Sequence, residues 1–238
     1  MLFNVLIFAV TAANLANGKS CLEAIVTEKK STILASAHQP PRPPPVDEIA
    51  RMARYVVHYS EWTTLSHISH QKKENISGLA MGRVYSIADG PYGNSTGVPY
   101  IYVSLFDGVP RDLKEIDNKC SMTISLAQGN LCASRGQIAE DPRCPQVILF
   151  GNFVFLDKDT DEWNFAENAL FSRYPMMRHW PKFHNFLFGK LDINKIILVD
   201  NFGGSKYPNI KDYFNSPPQK YVEVVRAELF FNESSVQV

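Results

Sequence analysis

Three asparagines, Asn75, Asn94 and Asn232, lie in the Asn-x-Ser/Thr pattern that accepts N-linked glycans. This modification requires exposed segments of a chain that enters the secretory pathway. Asn94 lies between two runs rich in β-branched and aromatic residues, 83–87 and 98–105, which are joined by Asp, Gly, Pro and Asn residues. The pattern predicts a β-hairpin with Asn94 on its exposed loop.

Cysteine is the second residue type with possible chemistry, and the chain contains Cys21, Cys120, Cys132 and Cys144. Some of these should pair in an oxidising compartment. Cys132 and Cys144 flank a polar segment, and we predict a disulfide bond that stabilises the fold by about 3 kcal/mol through chain entropy. Cys120 and the apolar residues Met122 and Ile124 alternate with Ser and Thr, so we predict a buried thiol on the apolar face of a strand. The pairing state of Cys21 stays open.

Histidines could bind a metal, but their spacing does not favour it. His67 and His70 are three residues apart on a predicted strand, so their side chains should point to opposite faces. His179 and His184 lie in an irregular segment without a Cys or carboxylate at ligand spacing, and we interpret them as structural residues. The HExxH and GxGxxG motifs are absent from the sequence, and no GxSxG sequence lies at a predicted strand-to-helix turn, where a nucleophile elbow would require it. We therefore predict neither a metal site nor catalytic residues.

Two amphipathic segments predict helices that would pack on the elements bearing these residues. The first is 46–60, for which Asp47 is the candidate N-cap. Its apolar stripe consists of Ile49, Met52, Ala53 and Val56. The second is 163–174, which the capping-box-like sequence Asp159-x-x-Glu162 precedes.

The remaining periodic segments predict strands. Besides the hairpin they are 62–69, 120–127, 147–156 with a bulge at Gly151, and a closing pair at 186–193 and 195–200, with a helical turn at 110–117. About six strands without regular βαβ alternation favour a β-rich α+β fold, an antiparallel barrel with peripheral helices.

The chain ends differ from this body in composition. Residues 1–18 have an apolar run followed by small residues, which predicts a signal peptide, and 19–46 form a Pro-rich leader. The barrel domain is predicted at 47–215 and a tail at 216–238. The apolar run is too short to span a membrane, and no other run in the sequence is long enough. The 24 basic and 24 acidic residues argue against a nucleic-acid partner, which normally requires a basic excess.

Five segments together resemble the CREG family, the cellular repressors of genes stimulated by a viral oncoprotein. They are 47–69, 86–104, 121–132, 173–191 and 197–204, in family order. The resemblance spans about Asp47 to Tyr213 and implies an antiparallel Greek-key split barrel, similar to that of pyridoxine 5′-phosphate oxidases. It also implies a homodimer.

The family resemblance also implies a function. Family members are secreted or lysosomal glycoproteins that influence cell growth and differentiation, and some reach lysosomes through mannose 6-phosphate receptors. We therefore expect a secreted or endolysosomal homodimeric glycoprotein that acts through receptor or partner binding and does not use flavin. The alternative is an oxidoreductase that uses flavin mononucleotide (FMN) or haem.

Cations and hydroxyl groups for a flavin phosphate are present in the expected regions. They are Arg83, Ser86, Ser104, Arg111 and Lys114. Ordinary solvated surface charge explains the same residues, and we favour that interpretation. The segment between Cys132 and Cys144 is a candidate lid over such a pocket.

Overall fold

The computed structural model describes residues 40–73 and 75–218 and contains one six-stranded antiparallel sheet, in the order β2-β1-β4-β5-β6-β3. The strands are β1 Trp62–Ile68, β2 Ala80–Ser86, β3 Tyr100–Ser104, β4 Lys119–Ser125, β5 Gln146–Phe155 and β6 Phe186–Val199. The helices are α1 Ile49–Tyr59, α2 Gly108–Glu115, α3 Asn130–Ala133, α4 Asp161–Arg173 and α5 Ile210–Asn215. Three 3-10 helices cover Leu126–Gln128, Pro175–His179 and Lys182–His184.

Several predictions fall on other parts of the chain. The signal peptide at 1–18, Cys21, Asn232 and nearly all of the leader and tail lie outside the residues that the structure describes. The domain boundaries stay predictions. Within residues 40–73 and 75–218, no helix is long and apolar enough to cross a membrane.

The central strands form where the alternation predicted them. In β4 the side chains of Cys120, Met122 and Ile124 are buried, and the residues between them face outward. Burial and the nearby Asp117 carboxylate raise the pKa of the Cys120 thiol to about 12, so this free cysteine is a packing residue and not a nucleophile.

The irregularity predicted at Gly151 of β5 is a bulge in the partner strand β6. The register with β6 shifts between Phe150 and Gly151, and Asn194 is the extra residue on β6. A side chain at Gly151 would collide with the backbone carbonyl of Asp192, so the close strand approach requires glycine.

The predicted closing pair of strands is wrong. Residues 186–199 form the single strand β6, which pairs with β5 over Gly189–Val199 and with β3 over Phe186–Lys190. The bulge accommodates Asn194, which we had interpreted as a break between two strands. One long strand therefore links both halves of the sheet.

The predicted hairpin is also wrong in its pairing. Its two strands exist, but β2 pairs with β1 and β3 pairs with β6, at opposite edges of the sheet. The edges meet at a single bridge, where the Ala88 and Tyr100 backbones exchange hydrogen bonds of 3.2 and 2.9 Å. The connecting segment, residues 87–99, is too long for a tight hairpin turn.

Helices cover the two halves of the sheet. The apolar stripe of α1 is confirmed, because Met52, Ala53 and Val56 are buried in the main core. The predicted caps are wrong: Glu48 is the N-cap of α1 and makes no side-chain cap bond, whereas the Thr160 hydroxyl caps α4 by accepting from the Trp163 amide. Asp159 precedes that cap in a left-handed conformation, with φ of +65°.

A second core cluster lies between α4 and the strands β3 and β6. Tyr100 and Phe188 are buried there against Ala166 and Leu170. Aromatic residues alternate along β3 and the start of β6, at Tyr100, Tyr102, Phe186 and Phe188, and the first and last of these residues belong to the core. Only Tyr102 and Phe186 remain half-buried.

The disulfide bond between Cys132 and Cys144 is confirmed, with Cα atoms 5.5 Å apart. It closes a loop in the segment that connects β4 to β5, and we call this end of the strands the disulfide end. The opposite end of the strands, where β3 and β5 finish and α2 begins, is the α2 end. These two ends decide which candidate residues can meet.

Candidate functional site

A buried carboxylate organises the segment that holds Asn94. Asp89 is fully buried and accepts hydrogen bonds from four groups. The Nδ1 atom of His58 lies 2.6 Å from Oδ1, and Nη2 of Arg173 lies 3.2 Å from the same oxygen. The Ser95 hydroxyl and the Gly97 amide donate to Oδ2. Asp89 therefore anchors both ends of its own loop.

Arg173 ties this loop to α4, of which it is the last residue. Its Nε donates to the Gly90 carbonyl at 2.9 Å and its Nη1 to the His58 carbonyl at 2.7 Å. The guanidinium lies over the Tyr92 ring, 4.4 Å from the ring centroid. His58 completes the contact, because its Nε2 lies 3.0 Å from the Tyr92 carbonyl.

The charges around Asp89 decide its ionisation. Burial alone would raise the pKa of this carboxyl, but the hydrogen bond and charge of His58 and the charge of Arg173 lower the pKa below its ordinary value. Asp89 is therefore the anionic centre of a cationic surrounding. The side chains of Asp89, His58 and Arg173 are at most 2% exposed, so no substrate can reach them.

Arg54 fastens the far side of the loop. It lies one turn before His58 on α1, and its Nη2 donates to the Ser95 carbonyl and hydroxyl at 3.1 and 2.9 Å. Its Nη1 donates to the carbonyls of Tyr213 and Phe214 at the end of the domain. The Tyr213 hydroxyl in turn donates to the Gly97 carbonyl at 2.7 Å. We call Arg54, His58, Asp89, Arg173 and Tyr213 the loop anchor.

The loop anchor holds Asn94 in a defined exposed position. The Asn94 amide donates to the Pro91 carbonyl at 2.9 Å, and the residue itself is exposed. Gly90 has φ of +143°, and a side chain there would collide with the Asn94 carbonyl. The Thr96 hydroxyl, the last element of the acceptor pattern, donates to the Asp89 carbonyl at 2.7 Å. The acceptor pattern is thus part of the folded loop.

Asn75 is the second acceptor that the structure describes. It is exposed in the turn after β1 and has a left-handed backbone with φ of +56°. Exposure fits a glycosylation site, and modification of Asn75 and Asn94 stays a prediction.

The candidate flavin residues do not all meet. Ser86 ends β2 at the disulfide end, whereas Ser104 ends β3 at the α2 end. The Ser104 hydroxyl donates to the His184 carbonyl at 2.7 Å. Arg83 reaches towards the α2 end, where its Nη1 lies 3.0 Å from Asp107.

The two remaining candidates are on α2. Arg111 lines a groove of about 480 Å³, and the Lys114 ammonium lies over the Phe155 ring at 5.4 Å. Four of the five residues are therefore near the α2 end, on the three elements β2, β3 and α2. The disulfide loop lies at the other end of the sheet, so it does not cover these four side chains, contrary to our expectation of a lid.

A second buried carboxylate, Asp112, is among the residues that line that groove. Asp112 accepts from the His70 amide at 2.9 Å, and the His67 Nε2 lies 3.2 Å away. Burial would raise the pKa of Asp112, but the hydrogen bonds from His70, His67 and Gln71 lower it. Across residues 40–73 and 75–218, no group of three or more His, Cys, Asp or Glu side chains is placed to hold a metal ion.

The loop anchor was missed by the sequence analysis. Asp89-Gly90-Pro91 had the composition of an ordinary turn, and its partners are far away in the chain. Arg54 and His58 are four residues apart on α1 and lie opposite its apolar stripe, on a face that the pattern predicts to be exposed but that is buried in the structure. Polar residues on a buried helix face need partners.

Comparison with known proteins identifies the family. The family model described as "CREG, beta-barrel" matches residues 44–215. Protein CREG1 of Mus musculus is 38% identical over 176 residues, covering 74% of this chain and 77% of the relative. Protein CREG1 of Homo sapiens is 37% identical over 172 residues, covering 72% and 76%.

Solved structures support the same fold at low identity. A structure titled as a heme binding protein from Mycobacterium smegmatis aligns with a TM-score of 0.57 and 16% identity, covering 82% of this chain and 70% of that chain. Campylobacter jejuni ChuZ aligns with a TM-score of 0.53 and 13% identity, covering 78% and 69%. Identities this low show the fold alone. Together with the family match, the six-stranded antiparallel sheet places this chain in the CREG family, with the expected split-barrel fold.

Proposed function

We propose that this protein is a secreted or endolysosomal homodimeric glycoprotein that modulates cell growth and differentiation by binding a receptor or partner, without flavin chemistry. The main support is the loop anchor, which fixes the exposed Asn94 from three helices. A glycan on such a base would be presented in a defined position. Family membership and the disulfide bond agree with this proposal.

The same geometry argues for a scaffold role of the buried charges. Asp89, His58 and Arg173 satisfy one another inside the protein and have no open path to solvent. Catalytic acids and bases must contact a substrate. We therefore assign the loop anchor to positioning, and the glycans at Asn75, Asn94 and Asn232 to recognition, including recognition by mannose 6-phosphate receptors.

Replacing Asn94 tests the proposal. Asn94→Gln removes the acceptor, whereas Thr96→Ala would also remove a hydrogen bond to Asp89 and is less informative. We expect Asn94→Gln to change secretion or lysosomal delivery in cultured cells and to leave the solution mass that of a dimer. Asn75→Gln is the matched control for general loss of one glycan. A monomeric Asn94→Gln protein that is secreted normally would contradict the proposal.

A second candidate is an FMN- or haem-dependent oxidoreductase. It draws on Arg83, Ser104, Arg111 and Lys114 near the α2 end, which offer cations and a hydroxyl for a phosphate. A similarly folded protein is named for heme binding. The visible spectrum of the natively glycosylated protein separates the two candidates, since a stoichiometric flavin or haem band that survives dialysis would favour the oxidoreductase.

A further inference from the structure

Large apolar side chains are exposed together at the α2 end of the barrel. Phe106 is 66% exposed, Phe183 is 72% exposed and Trp180 is 39% exposed. Phe106 and Phe183 both contact the His184 ring, with centroid distances of 5.3 and 4.5 Å. Trp180 contacts Phe186, which stacks on His184. We call Phe106, Trp180, Phe183, His184 and Phe186 the aromatic rim. Exposed contiguous apolar surface of this kind marks an interaction site.

The aromatic rim is built from two segments that the sheet holds together. Phe106 follows β3, and the other four residues precede or begin β6. Ser104 pairs with Phe186 in the sheet, and its hydroxyl donates to the His184 carbonyl at 2.7 Å. Strand pairing and this hydrogen bond therefore hold the two segments of the aromatic rim in place, with its rings exposed.

The segment that carries four of the five rim residues is basic. The sequence from Tyr174 to Leu191 contains no Asp or Glu, but it contains the exposed Arg178 and Lys182. The Asp107 carboxylate next to Phe106 is paired with Arg83 at 3.0 Å and accepts from Tyr85. Glu167 on α4 is half-buried, and its carboxylate lies near Tyr102, which stacks on Trp180 and Phe186. Arg178 and Lys182 form no ion pair with any of the described residues, and exposed aromatic rings beside such cations match a surface that is apolar inside and anionic outside.

We propose that the aromatic rim docks on an anionic lipid surface. Aromatic rings prefer the depth of the headgroups, and neighbouring Lys and Arg side chains bind anionic lipids. A second copy of this chain fits less well, because a two-fold axis would bring the same cationic faces together. This inference goes beyond the proposed function and does not rest on it.

Vesicle flotation of the full glycosylated protein tests the inference. The probes are phosphatidylcholine vesicles with and without phosphatidylserine. We expect binding that requires phosphatidylserine, a loss of at least about tenfold in affinity for Phe106→Ser/Phe183→Ser, and a loss of about fivefold for Lys182→Gln.

Matched controls lie at the disulfide end. Phe202 is 70% exposed beyond the end of β6, on the order of 40 Å along that strand from the rim. Phe202→Ser and the exposed Lys195→Gln should bind vesicles like the parent protein. Binding that is unchanged by the rim substitutions, or equal without phosphatidylserine, overturns the inference. A fall in solution mass from dimer to monomer in Phe106→Ser/Phe183→Ser also overturns it, because the rim would then be a subunit interface.

Discussion

At the residue scale, Asp89 is a buried anion that the His58 ring, the Arg173 guanidinium, the Ser95 hydroxyl and the Gly97 amide surround. Removing one partner from such a group leaves the other charges buried without compensation. We predict that Asp89→Asn lowers the free energy of unfolding by about 3–5 kcal/mol. Urea unfolding measures this change. Asp157→Asn, at an exposed carboxylate, is the control and should have almost no effect.

The same carboxyl predicts a pH dependence. Its pKa is lowered in the folded protein, so its contribution is fully present above the unfolded pKa of about 3.9 and is lost as the pH falls towards the folded pKa. We expect no loss of stability from Asp89 between pH 7 and 5, and a decline below about pH 4. A smaller decline in Asp89→Asn than in the parent, measured by urea unfolding across this range, confirms the assignment.

Asp200 should behave in the opposite way. Its Oδ2 is buried and has no hydrogen-bond partner among the described residues, and burial raises its pKa although Lys206 opposes this. A raised carboxyl pKa means that ionisation destabilises the fold as the pH rises. We predict that Asp200→Asn increases the free energy of unfolding at pH 7 by on the order of 1 kcal/mol. The gain should vanish near pH 3, and a gain that persists there would contradict this cause.

Sequence patterns could not locate the loop anchor because its members come from distant segments. Arg173 and Asp89 are 84 residues apart, and His58 and Asp89 are 31 residues apart. Only the sheet and helix packing bring them together. The disulfide partners were predictable because they are close in the sequence: Cys132 and Cys144 are only 12 residues apart.

At the element scale, the disulfide loop is a local closure between two neighbouring strands. We predict that Cys132→Ser/Cys144→Ser lowers the free energy of unfolding by about 3 kcal/mol. Reduction of the parent protein with dithiothreitol should give a similar loss. Cys120→Ala is the control, because Cys120 forms no disulfide and its variant should keep the sensitivity to dithiothreitol.

Elements with clear periodicity were predictable, and their partners were not. Alternation in β4 and the stripe of α1 gave the correct burial, since one face of each packs on the core. The two strands around Asn94 were also recognised by composition. Their pairing was not, because Asp89 packs inward against α1 and α4 and prevents the tight turn that a hairpin needs.

At the scale of the whole molecule, the barrel closes through the one bridge between Ala88 and Tyr100. The edge strand β2 pairs with β1 on one side, whereas β4 and β5 have partners on both sides. We predict that amide hydrogens of β2 exchange with solvent at least roughly tenfold faster than those of β4 and β5. Hydrogen exchange followed by mass spectrometry measures both sets in one sample. Equal protection of β2 and β5 from exchange would contradict this prediction, because it would show that the edge strand β2 opens no more often than the central strands.

The close backbone contacts at Gly90 and Gly151 also predict how inherited missense variants at these positions affect the protein. Every codon change that replaces glycine adds at least a β-carbon, which would collide with the backbone of Asn94 or Asp192. Conservative and drastic missense alleles should therefore be equivalent at these two positions. In a population, each such allele would lower the amount of folded protein much as a truncating allele does. Missense alleles at Gly93, where a side chain would meet no atom within 4 Å, should leave the amount of folded protein unchanged.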